Sequence, residues 1–259
     1  MPLELQTEKP IPTRSPFQNL LYSASNHLFN LIGHLLTPTW DKRLLGISQL
    51  PIQTIIDIGA NEGQFARQMK RLFPRARIHA FEPLPIPFAK LSHWAKTDLQ
   101  KIAVYNLALG ENQDKISINS HLYFQPSSSI LPTTELCENT FPMVKKQEKI
   151  IIAQSTLDQE MANIDPQTMG MILIKLDVQG YEDRVIRGGQ KIFAQATACI
   201  VEISLDLLYE KQAQFRDIFY LLDPLDYYYA GNLDQVLGRD GHVRYLNALF
   251  LKHPINKDP

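Results

Sequence analysis

The sequence predicts an α/β fold built on a doubly wound, mostly parallel seven-stranded sheet, and three observations predict it. An apolar run carrying Ile52, Ile55, Ile56 and Ile58 ends in Asp57-Ile58-Gly59-Ala60-Asn61-Glu62-Gly63 and then takes on helical spacing, as a buried parallel strand does on turning into a helix. A second strand-like run, Arg77–Phe81, closes on Glu82, which puts two carboxylates at neighbouring strand ends, where open α/β sheets bind ligands. Strands and helices then alternate with crossovers of the length that parallel pairing requires.

Taken in order, residues 1–16 are proline-rich and read as an extended arm, and apolar residues from Phe17 to Leu36 recur at helical spacing until Pro38. That N-terminal helix either caps the core or docks on a membrane surface or partner. Residues 1–50 thus form an arm and helix, 51–253 the main domain, and 254–259 a tail. Within the domain a helix spans Gly63–Phe73, and Phe88, Leu91 and Trp94 mark another. A third strand is expected over Ile102–Leu109. An insertion over residues 112–155 follows. Lys115–His121 and Lys149–Ser155 read as a β-hairpin-like pair around a loop at 122–149, taken as a lid or substrate-facing segment in preference to an idle connection. The alternation resumes with strand Met171–Asp177, a helix over Tyr181–Phe193 interrupted at Gly188-Gly189, strand Ala198–Ser204 and a helix around Phe215–Leu222. Two closing strands, Tyr227–Ala230 and Arg244–Lys252, complete it.

With 259 residues, 44% of them hydrophobic, one enzyme-sized domain can bury its own core. A net charge of −1 and no basic run give no pull toward nucleic acid. Cys137 and Cys199 make no metal or redox spacing, no histidine pair stands at metal spacing, and no apolar stretch reaches the roughly 18 residues of a membrane span. MPLELQTEKP lacks the pattern of a secretory signal. A cytoplasmic protein without a transmembrane segment is expected.

The turn at 59–63 allows close backbone approach, but it lacks the middle glycine of a dinucleotide fingerprint, and Asp57 and Glu62 flank it. Two carboxylates would repel a diphosphate, which argues against a nicotinamide-dependent oxidoreductase. They suit a ligand with a cationic centre and a ribose, and S-adenosylmethionine meets both needs. Asp177, closing a central strand, could act as general base, bind a metal or cap the following helix, a task Glu182 could also perform. Glu202 lies within the apolar run ACIVEIS and needs a partner if buried, so it is a candidate for the substrate pocket. Lys175 either snorkels or pairs with an acid. A divalent metal shared by Asp177 and Glu202 is conceivable, but a pair of carboxylates does not indicate one.

Together DIGANEGQF (57–65), AFEP (80–83), LALG (107–110), IKLDVQGYE (174–182) and YLNALFL (245–251) resemble the FkbM-type S-adenosylmethionine-dependent methyltransferases over roughly residues 50–253. The resemblance implies a Rossmann-like class I methyltransferase fold and transfer of a methyl group to a hydroxyl of a sugar, glycan or secondary metabolite. It implies that Asp57, Gly59, Asn61 and Gly63 cradle the methionine part, that Glu82 takes the ribose, that Asn106 and Ala108 lie along the adenine edge, and that Ala60, Phe65 and Pro83 also bind the cofactor. From their own places on the strands Asp177 and Glu202 are the candidate catalytic residues, and Ser128 and Ser129, in a serine cluster like the family's, are candidate substrate contacts. Gln179 stands where the family usually has Glu. The rival from another class is a non-catalytic nucleotide-binding α/β scaffold.

Overall fold

The computed structural model describes residues 44–253. The expected arm and helix before residue 44 and the tail after residue 253 lie outside the described residues. The main sheet comprises β1 (Ile52–Ile58), β2 (Arg77–Phe81), β3 (Ile102–Tyr105), β7 (Met171–Leu176), β8 (Ala198–Ser204), β9 (Tyr227–Leu237) and β10 (Val243–Lys252). A smaller sheet holds β4 (Ala108–Leu109), β5 (Asp114–His121) and β6 (Gln147–Ser155). The helices are α1 (Gln64–Leu72), α2 (Pro85–Ala95), α3 (Glu135–Thr140), α4 (Leu157–Glu160), α5 (Pro166–Met169), α6 (Glu182–Gly188), α7 (Gln190–Gln195) and α8 (Phe215–Leu222).

The main sheet runs β3-β2-β1-β7-β8-β10-β9, with β10 antiparallel to both of its neighbours and the remaining pairings parallel. This is the seven-stranded, mostly parallel architecture that the alternation predicts. Its central strands are buried on both faces, which is why β1 and β7 read as continuous apolar runs. Register sorts the core into two layers. Ile55, Ile78, Leu173 and Ala198 share one row, while Ile56, Ile174 and Cys199 share the next, facing the opposite side. Met69 of α1 and Leu91 of α2 pack on the first layer, Val185, Ile186 and Phe193 of α6 and α7 on the second. The strand order reverses between β1 and β7, so a crevice for ligands opens at their carboxyl ends.

Four expectations need correction. The third strand is two pieces: β3 stays in the main sheet, whereas β4 leaves it to pair with β6. The cause is Asn106 between them, whose Nδ2 donates to the carbonyls of Glu82 (3.0 Å) and Pro83 (3.1 Å) and turns the chain at the end of β2. The pairing of β5 with β6 is antiparallel from Asp114↔Gln154 to His121↔Gln147, so the connection runs from 122 to 146. That connection is structured, with α3 capped by the Thr134 hydroxyl and short 3-10 turns at Gln125–Ser127 and Pro142–Val144. A six-residue helix carries too few turns for periodicity to reveal it. Strand β9 continues past Ala230 to Leu237, with Gly231 opposite Leu249 in the ladder. Strand β7 stops at Leu176, and Asp177 begins the turn, its N–H donating to the Ile58 carbonyl at 3.0 Å.

One close approach locks the two strand ends that flank the crevice. Gly59 has φ +79°, and a methyl on its Cα would lie 1.9 Å from the Asp177 carbonyl oxygen. Gly59→Ala should therefore cost at least about 2 kcal/mol in urea unfolding, from left-handed strain plus overpacking. Gly241→Ala, also at positive φ but with nothing within 4 Å, should lose only about 1 kcal/mol.

Candidate active site

The turn after β1 is held by its neighbour. The N–H groups of Gly59 and Ala60 both donate to the Phe81 carbonyl, at 3.0 and 2.9 Å. Glu82, only 5% exposed, accepts from the Asn61 N–H through one carboxylate oxygen and from the Leu84 N–H through the other, each at 2.8 Å. Burial pushes the Glu82 carboxyl up to about 7, against the pull of those two amides. Asn61 takes φ +49° to present its N–H. Thus Asn61, Glu82, Pro83 and Asn106 form one clasp across the ends of β1, β2 and β3. The Gly63 position faces α2, since a Cβ there would lie 2.8 Å from Leu91 Cδ1. Ala60 is buried with the α1 and α2 core, and Ala108 packs with Leu84, Ile118 and Ile152.

Asp57 is fully buried, and neither carboxylate oxygen has a hydrogen-bond partner. The Ala66 amide faces it closely enough to lower its pKa but not in hydrogen-bonding geometry. Burial dominates and raises the carboxyl to about 6, although Lys175 opposes this. An unpartnered buried carboxylate is costly and marks a site built for a donor or a cation.

Asp57 and Lys175 are register partners, and Glu202 follows two residues after Ile200, which pairs with Lys175. The pleat therefore turns all these side chains to one face. Lys175 Nζ binds Asp177 Oδ2 at 2.9 Å and lies 5.5 Å from the centre of the Phe65 ring. Burial alone would pull the lysine pKa down, but Asp177, Asp57 and Glu202 hold it above its ordinary value. Of the two readings of Lys175, the ion pair is the one observed. Gln179, at φ +55°, donates through Nε2 to Asp177 Oδ1 at 2.8 Å and Glu202 Oε1 at 2.7 Å. Its Oε1 accepts from the Tyr209 hydroxyl at 2.7 Å. Glu202 is raised well above the usual carboxylate range, first by burial and then by Asp177, with Lys175 and Gln179 opposing. Glu182 accepts from the Val178 and Gly180 N–H groups at 3.1 and 3.2 Å, so it organises this turn, and burial raises it to about 7.

The mid-chain insertion closes over this cluster. Ser129 Oγ donates to the Gln179 carbonyl at 2.7 Å and accepts from Leu131 N–H, while Ser128 Oγ accepts from His121 N–H at 3.0 Å. Ser128 thus braces the insertion itself, and Ser129 ties it to the turn after β7. Tyr209, which nothing in the sequence singles out, also reaches the Ser127 carbonyl at 2.7 Å. Its only sequence signal is an aromatic hydroxyl in the loop after β8. Among the described residues, no group of three or more His, Cys, Asp or Glu is arranged to hold a metal ion.

A doubly wound seven-stranded sheet with a single antiparallel strand near its edge, and acids at the carboxyl ends of β1, β2, β7 and β8, defines a Rossmann-like class I methyltransferase fold. The chain belongs to the methyltransferase FkbM domain family, which it matches over residues 57–229. It is 26% identical over 216 residues to the 2-O-methyltransferase NoeI of Sinorhizobium fredii, covering 79% of this chain and 87% of that one. It is 24% identical over 143 residues to Methyltransferase 1 of Beauveria bassiana, covering 52% of this chain and 57% of that one. The crystal structure of an FkbM methyltransferase from Methylobacillus flagellatus KT superposes with a TM-score of 0.49 at 15% identity, covering 78% of this chain and 44% of that chain.

The buried acids make stability depend on pH. Asp57, Glu82 and Glu182 bind protons more tightly folded than unfolded, so their stabilisation is complete below pH 4 and is lost as pH rises through 6 to 7. The ligand-free protein should be less stable in urea at pH 8 than at pH 5. Asp57→Asn should shrink that difference by roughly 1–3 kcal/mol.

Proposed function

We propose that this protein is an S-adenosylmethionine-dependent O-methyltransferase acting on a hydroxyl of a sugar, glycan or secondary metabolite. The observation that carries the reading is the buried, unpartnered Asp57 carboxylate at the reversal point of the sheet, beside the Asp177–Glu202 cluster. The residues present fit the cofactor. Asp57 offers a carboxylate with no other partner to a cationic group, and Glu82 spends two of its roughly four acceptor positions on backbone amides, leaving capacity for a ribose diol. When bound, the cofactor supplies an electrophilic methyl group on a sulfonium.

The chain's own residues do the rest. Asp57, with the Gly59–Gly63 turn and Phe65, would hold the methionine end, and Glu82, Pro83, Asn106 and Ala108 the nucleoside end. Glu202 takes the proton of the acceptor hydroxyl, because its Oε2 accepts no hydrogen bond among the described residues and burial raises its proton affinity. Asp177 is fixed between Lys175 and Gln179, and so orients the pocket and keeps negative charge beside the cation. Ser128 and Ser129 shape the acceptor side through the insertion. A hydroxyl acceptor is supported by the name of the relative NoeI, a 2-O-methyltransferase. A reducing cytoplasm suits the free, buried thiols of Cys137 and Cys199. Among the described residues no helix is long and apolar enough to cross a membrane.

Calorimetry with S-adenosylmethionine should show one site in the unmutated protein and at least tenfold weaker binding in Asp57→Ala. No binding by the unmutated protein would sink the proposal. Glu202→Gln should keep cofactor affinity but slow transfer of labelled methyl to a panel of glycosides by about 10²–10⁴-fold.

A further inference from the structure

Next to β8, at the same end of the sheet as the catalytic cluster, lies a second cavity of about 380 Å³, lined by Asn139, Thr140, Arg239, Asp240, His242 and Arg244. That volume falls within the range of small-molecule sites. Its walls come from the C-terminal end of α3 in the insertion and from the turn between β9 and β10. The chain leaving β8 anchors it, because the N–H groups of Leu205 and Asp206 both donate to the Arg244 carbonyl, at 2.8 and 3.1 Å. Asp206 is four residues beyond Glu202 and two past the end of β8.

The charged groups around this cavity are largely paired with one another. His242 is held by both ring nitrogens, Nδ1 to Asp240 and Nε2 to Asp206 at 2.9 Å. The second Asp206 oxygen pairs with Arg244 Nη1 at 3.4 Å. Both acids are thereby committed to cations within the wall. What remains unspent is donor capacity. Arg244, ion-paired to Asp206 through Nη1, lies with its guanidinium 5.5 Å from the centre of the Phe141 ring, whereas the exposed Arg239 side chain has no partner among the described residues. The free guanidinium of Arg239, with the Asn139 amide and Thr140 hydroxyl lining the same cavity, matches a planar or tetrahedral oxyanion.

We propose that this cavity is an acceptor subsite that recognises an anionic substituent, a carboxylate or a sulfate or phosphate ester, on the molecule whose hydroxyl is presented to Glu202. The proposal rests on the methyltransferase reading and deepens it, because it gives the acceptor a charged handle at the same end of the sheet as the reacting hydroxyl. The neutral Gln179 and the acid-rich catalytic cluster offer no such anion site, so the handle and the reacting group occupy separate places.

The test is titration of the full chain with D-glucuronate, inorganic sulfate and D-glucose, following the Nε–H resonances of Arg239 and Arg244 by NMR. Both anions should shift those resonances at millimolar concentration and glucose should not, and Arg239→Gln should weaken both anions at least fivefold. Tighter binding of glucuronate supports a carboxylate handle, and tighter binding of sulfate supports an ester. Absence of shifts with either anion, equal shifts with glucose, or indifference to Arg239→Gln overturns the subsite. S-adenosylmethionine titrated into the same samples separates the two readings: its binding should be unchanged in Arg239→Gln, and its failure to bind the unmutated protein overturns the methyltransferase reading instead.

Discussion

One buried ammonium governs the site. Lys175 sits among Asp57, Asp177 and Glu202, carboxylates contributed by three different strand ends, and binds one of them directly. Collecting three acids on one face of a dry sheet would be prohibitive without it, since each uncompensated buried charge costs several kcal/mol. One positive charge does not balance three negative ones. Burial first, and the neighbouring Asp177 carboxylate after it, raise the proton affinity of Asp57 and Glu202 against the pull of Lys175. The site therefore presents a buried carboxylate without a hydrogen-bond partner at Asp57 and one bonded through a single oxygen at Glu202.

Gln179 keeps the acids apart in role. A carboxylate at this position would add a fourth negative charge, whereas the amide donates to both Asp177 and Glu202 and still accepts from Tyr209. Its backbone carbonyl in turn receives Ser129 Oγ from the insertion. One side chain and its own peptide thus connect the acid pair, the loop after β8 and the mid-chain insertion. The insertion is consequently part of the site's wall, bonded at Ser127 and Ser129 and packed through Leu131, Cys137 and Val144 against Leu208 and Tyr209.

Much of this was legible in the sequence because an acid inside or at the end of an apolar run is energetically out of place. Asp57, Glu82, Asp177 and Glu202 all have that signature, and the structure brings three of them around Lys175 and sets Glu82 across the neighbouring turns. Lys175 itself could not be resolved from its spacing, because a strand lysine snorkels or pairs depending on what the next strand offers. The split of the third strand was hidden because Asn106 acts through carbonyls more than twenty residues earlier in the chain.

The sequence by itself determined the sheet, its crossovers and the strand ends that carry acids, because hydrophobic periodicity and turn chemistry act between near neighbours. Only the tertiary structure decided how those acids are partnered. Tyr209 meets Gln179 from 30 residues away and Ser127 from 82, and the Arg244 cavity joins a hairpin turn to a helix of the insertion. Such contacts depend on where loops of no regular period come to rest, and their physical origin is the need to satisfy buried polar groups after the sheet has formed.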